Sequence, residues 1–351
     1  MDNLQRNGAV DAAKAIAIFG VLLIHASAVG GYAGTVGSAG WDGGLFWGTV
    51  LRCAVPVFFL CSGALLLPAE KTVTIRRVWT HYLPHILLAL LFWSAAYQAW
   101  DLFLLWHRTG VLEAAALRGA VRDFLLLRHK PHLYYLDIML LIYALLPVTR
   151  VFTARASRRE AEYALTLWAV LGVCLPILRQ FPPVSQIGGI PAQWPLSLTY
   201  ASVGYTVLGW YLSRWGGQRR SRFYLLMFLC GWALTFAGTL WQSAGRGKLF
   251  EGFLYGMAPG VCMEAAGVFG FCLSRWRQRP VRPWAAAVSR GSFCVYLTHM
   301  FFLDCLRNHG LTAGHLPSLL SVPLVALTLF ICGMAVWLVL RKVPVVSRWL
   351  I

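Results

Sequence analysis

Residues 10–29 read VDAAKAIAIFGVLLIHASAV, and the reading of this stretch decides the fold. About 20 mainly apolar residues suffice for a helix to cross roughly 30 Å of hydrocarbon. Yet three ionisable residues, Asp11, Lys14 and His25, lie in it. On insertion scales an ionised residue at the centre of a span costs about 2.5–3.5 kcal/mol, so each needs a partner or a task. The eleven-residue offset from Lys14 to His25 is about three helical turns, which puts both on one face some 16 Å apart. Asp11 lies one turn below Lys14 on that face and is placed to pair with it. For Asp11 and Lys14 a snorkelling pair at the membrane boundary competes with a functional reading. A lone histidine is often a packed, hydrogen-bonded group, but three polar residues in one register favour function.

The rest of the chain repeats the pattern. Of 351 residues, 58% are hydrophobic and 13% charged, with a mean hydropathy of +0.63. Soluble domains carry about 25% charged residues, so the bilayer must solvate most of this surface. Ten segments qualify as spans, near 10–29, 45–67, 81–100, 133–152, 162–178, 196–213, 223–241, 252–273, 288–306 and 319–340. The expectation is an all-α integral membrane protein: one domain over 1–351, a bundle of about ten transmembrane helices around a polar central cavity. The charged first span lacks the features of a cleavable signal peptide.

The net charge of +18 reads as a topology signal. With the N-terminus inside, about two thirds of the 31 lysine and arginine residues fall on the inner side. Arg6, Lys71, Arg76, Arg77, Arg150, Arg155, Arg214, Arg275, Arg279, Arg282 and Arg341 are examples. By the positive-inside rule both termini are cytoplasmic, and no nucleic acid is needed to explain the basicity. Five outer basic residues fall in 101–131, where Glu113 to Leu127 sets Leu117, Val121, Phe124 and Leu125 on one face and Arg118 and Arg122 on another. That is the pattern of a helix lying at the interface, either a lid or a plain connector.

Further ionisable residues fall inside spans: Arg52 before Pro56, His132 and Asp137 beside Tyr134 and Tyr135, Glu264, and His299 near Asp304. Some will neutralise one another, and an Arg52–carboxylate pair would be structural. Together they imply a hydrated cavity. The nine cysteines show no paired metal or disulfide spacing and read as small apolar filler. His81 and His85, one turn apart, lack a third ligand of suitable spacing, so no metal is expected.

Four stretches resemble the membrane-bound acyltransferase-3 family, which contains O-acetyltransferases of bacterial surface glycans. Val10-Asp11-Ala12-Ala13-Lys14-Ala15-Ile16-Ala17-Ile18 is similar to the family's opening pattern, and Lys14 and His25 meet its basic-x10-His hallmark. Arg52-Cys53-Ala54-Val55-Pro56-Val57-Phe58-Phe59-Leu60-Cys61-Ser62-Gly63 is similar to the end of its second span. His132-Leu133-Tyr134-Tyr135-Leu136 resembles the entry to its fourth span, and Ser289 to His299 resembles its closing motif. The resemblance runs from about residue 8 to 340. One departure is the loop after the second span, where Arg76-Arg77 stands in place of a spaced arginine pair. Many relatives add an extracytoplasmic hydrolase-like domain; here the acceptor is expected to meet the membrane domain directly or through another protein.

The resemblance implies an acetyl-coenzyme A-dependent O-acetyltransferase of a bacterial inner membrane, acting on a cell-surface glycan or its lipid-linked precursor. In that reading His25 is the catalytic residue, as general base or as a transient acyl-histidine. Asp11, Lys14, Arg52, Ser62, Arg76 and Arg77 support the coenzyme or the reaction, and His132, Tyr135, Asp137, Glu264 and His299 line the acceptor side. Acetyl-coenzyme A is a donor substrate rather than a resident cofactor. A homo-oligomer is compatible with this reading. The rival class is a transporter of a small polar solute or glycan, with the buried charges as a proton relay.

Overall fold

In a computed structural model, residues 7–32, 34–279, 281–314 and 316–351 are described. Arg6 therefore lies outside the described residues, which are mostly helical and contain no strand. The first helix, α1 (Gly8–Ala26), starts where the Asn7 side chain accepts hydrogen bonds from the backbone N–H groups of Ala9 and Val10, at 3.1 and 3.4 Å. Such a cap satisfies amides that have no partner within the helix. One further turn runs to Gly31, and Gly30 adopts a φ of +87°, which glycine accommodates without strain.

The other main helices are α2 (Ala39–Val50), α3 (Ala54–Leu66), α4 (Leu83–Thr109), α5 (Ala114–Leu125), α6 (Tyr134–Arg155) and α7 (Arg158–Trp168). They continue as α8 (Leu198–Trp215), α9 (Ser221–Arg246), α10 (Pro259–Trp276), α11 (Pro283–Asn308), α12 (Ser318–Leu340) and α13 (Pro344–Trp349). A helix occupies each of the ten expected span positions. Among the described residues, eight helical stretches are long and apolar enough to cross a membrane. Helices α8 and α11 are not among them, because residues such as Arg290, His299, Asp304 and Arg307 in α11 lower the mean hydropathy.

Helix α1 is central, packing against α3, α10, α11 and α12. Lipid tails are as apolar as leucine, so close van der Waals packing across small residues must hold such helices together. A side chain at Gly63 would strike the backbone of Thr206, and one at Gly209 the backbone of Leu60, which locks α3 to α8. Gly231 and Gly267 permit the same intimacy between α9 and α10.

The second span is interrupted at Leu51–Cys53, between α2 and α3. Backbone freed inside a bilayer must find partners within the protein. The fully buried Glu264 side chain accepts through Oε2 from the Cys53 N–H at 3.3 Å, giving the start of α3 a hydrogen-bond partner. Arg52, within the break, donates through Nε to the Leu254 carbonyl at 2.6 Å. Helix α5 matches the expected interfacial segment, and its apolar residues Leu117, Val121 and Leu125 are exposed.

Candidate active site

Three histidines from separate elements converge. The ring of His25, in the last turn of α1, lies 4.9 Å from that of His299 in α11 and 6.2 Å from that of His132. The His132 and His299 rings are 5.3 Å apart. His132 and His299 are buried, whereas His25 keeps partial exposure. His299 Nδ1 is 2.7 Å from the Tyr296 carbonyl, which can only accept, so in the neutral ring Nδ1 carries the proton. That leaves Nε2 a bare lone pair, and it has no hydrogen-bond partner among the described residues. Among those residues no three histidine, cysteine, aspartate or glutamate side chains are arranged to hold a metal ion.

A clamp sets the position of His132. Lys130 reaches Asp101 of α4 at 2.8 Å and the buried Asp304 of α11 at 3.7 Å, while Arg307 pairs with Asp304 at 2.9 Å. His129 pairs with Asp137 at 3.0 Å. The Tyr296 hydroxyl donates to the His132 carbonyl, and the Tyr97 ring lies 4.9 Å from the imidazole. Lys130→Met is expected to lower kcat between about tenfold and a hundredfold by shifting His132, with donor KM unchanged and Lys130→Arg restoring most of the rate. Steady-state kinetics of the two variants check this split; a loss confined to KM would contradict it.

Beside the histidines lies a cavity of about 160 Å³, lined by Lys14, Ser62, His85, Tyr135, Tyr143 and Tyr296 among others. Tyr296 and Tyr135, rings 5.2 Å apart, form its wall towards the cluster, with Tyr296 6.1 Å from His299. At the Lys14 end, Arg150 donates to the carbonyls of Leu66, Pro68 and Lys71, pinning the loop that follows α3. The Lys71 ammonium is pushed below its ordinary range by partial burial and then by Arg77, Arg150 and Lys14. Lys71, within electrostatic reach of Arg77, Arg150 and Lys14, makes with them a cationic basin that favours phosphate-like anions.

A family model described as an acyltransferase domain matches residues 7–341. The chain belongs to the acyltransferase-3 family. Neither the curated proteins nor the solved structures compared with it gave a match.

For this acyltransferase-3 protein, the expected site residues fall into five places. Lys14, Ser62 and Tyr135 line the cavity, and His25, His132 and His299 form the cluster. Arg52 and Glu264 sit at the interrupted span, where Glu264 caps α3 and Arg52 stays in electrostatic reach of His25. Asp137, Arg76 and Arg77 are exposed, although Arg77 belongs to the cationic basin. Asp11 is buried beside Lys14, and both act electrostatically on Cys61. Sequence reasoning missed Lys71, Arg150, Tyr296, Tyr143 and Ser292 as neighbours of the cavity, which His85 also lines. None carries a local signal except Tyr296, three residues before His299 in the closing motif.

Proposed function

We propose that this acyltransferase moves an acetyl group from cytoplasmic acetyl-coenzyme A to a hydroxyl of an extracytoplasmic acceptor, a cell-surface glycan or its lipid-linked precursor. The observation that carries this reading is the adjacency of the cavity to the histidine cluster, with Lys14 and its neighbouring cations at the opposite end. Phosphates of the coenzyme rest on Lys14, Lys71, Arg77 and Arg150, and the thioester arm enters the cavity beneath Tyr135 and Tyr296. Both termini and the cationic basin then face the cytoplasm of a bacterial inner membrane.

His25 takes the proton from the acceptor hydroxyl as the oxygen attacks the thioester carbonyl. The tetrahedral oxyanion forms near the Arg52 guanidinium, which stabilises it. Its collapse breaks the C–S bond, and the leaving thiolate of coenzyme A recovers the proton. The bare Nε2 of His299, whose ring lies 4.9 Å from that of His25, receives or returns that proton.

Isothermal titration of the purified protein with acetyl-coenzyme A tests the reading. Wild type is expected to bind it, and Lys14→Gln to bind roughly tenfold more weakly through loss of one charged contact. A carrier with no acyl chemistry would ignore the coenzyme, and no binding by wild type would overturn the proposal.

A further inference from the structure

A second cavity, of about 680 Å³, opens on the side of α1 turned away from Lys14 and His25. Its walls are Ala12, Ala15, Ile16 and Phe19 of α1, with Leu51 at the inner end. From Gly8 to Phe19 the helix rises about 16 Å, a little over half of a ~30 Å hydrocarbon core, so the groove has the depth of one leaflet. The lining is overwhelmingly apolar, except at the Gly8 end, where Arg279 and Arg282 stand with Trp276 and Trp284. Among the described residues neither guanidinium is ion-paired with a carboxylate. Tryptophan at such a rim marks the headgroup level of a bilayer.

We infer that this groove is a binding site for an anionic phospholipid, with an acyl chain along α1 and the phosphate between Arg279 and Arg282. Charge decides the occupant. An apolar slot alone would suit any lipid or a second copy of the chain, but two unpaired arginines at its mouth favour a phosphate-bearing headgroup without a compensating cation. Hydrogen bonds from the two guanidinium groups hold the phosphate, while the acyl chain lies against the apolar wall of α1. The site touches the same helix as the histidine cluster but shares none of its residues.

Native mass spectrometry of the delipidated full chain, titrated separately with phosphatidylglycerol and phosphatidylcholine, tests the assignment. Wild type should take up one phosphatidylglycerol at a roughly tenfold lower concentration than phosphatidylcholine. The double variant Arg279→Gln/Arg282→Gln should lose that preference. Ala15→Phe, which fills the slot and leaves both arginines, should lose the first bound lipid of either kind. Arg341→Gln, a charge change outside the groove lining, should behave as wild type; an equal loss there would reduce the effect to general surface charge and overturn the site. Equal binding of the two lipids by wild type, uptake unaffected by Ala15→Phe, or a dimer in place of a lipid adduct would each overturn it as well.

Discussion

Replacing His25 with alanine is expected to lower acyl transfer by roughly a hundredfold to ten-thousandfold, the range for loss of a positioned general base. Binding of acetyl-coenzyme A should stay close to wild type, because the cationic basin of Lys14, Lys71, Arg77 and Arg150 lies at the other end of the cavity. The expectation rests on the asymmetry within the cluster. His132 and His299 are buried, and His25 is the partly exposed member of the three. Packing of α1 relies on residues such as Ile18, Leu22 and Leu23, so the truncation should leave the bundle folded. Single-turnover transfer and coenzyme titration on the same preparation separate chemistry from binding. Loss of both together would place His25 in the scaffold.

Gly63→Ala is expected to have the largest effect on stability, about 3 kcal/mol or more, because the added methyl meets backbone rather than a movable side chain. A Cβ at Gly63 would overlap the Thr206 main chain, and α3 and α8 could accept it only by separating. Gly209→Ala should act alike through the Leu60 backbone, whereas Gly119→Ala in α5, with open space around it, should be neutral or slightly stabilising. Thermal unfolding in detergent checks the series. If Gly63→Ala and Gly119→Ala melt together, the α3–α8 contact is looser than described.

The fold was legible where the signal is local. Apolar length marked a helix at each of the ten positions, and the amphipathic run before Leu127 marked α5. The break at Leu51–Cys53 was not legible, since the run from Ala39 to Leu66 is largely apolar and carries no charge apart from Asp42 and Arg52. Arg52 read as a span residue in need of an anionic or polar partner. Its nearest use is a backbone carbonyl, Leu254, and the carboxylate Glu264 serves the α3 N-terminus instead. At the site, the register of Lys14 and His25 survived because a helix fixes it. The closeness of His132 and His299 to His25 depends on how α6 and α11 meet α1. Lys71 and Arg150 were unremarkable as loop and helix-end cations, and only tertiary packing brings them to Lys14.

The central claim is transfer with a direction, from a donor on the Lys14 side to an acceptor on the His25 side. Sealed membrane vesicles of both orientations, each given labelled acetyl-coenzyme A outside, test it most directly. Label should enter the membrane or lumenal fraction only in vesicles with the Lys14 side outward, and His25→Ala should abolish that incorporation. Equal labelling in both orientations, or labelling that survives in His25→Ala, would contradict the account.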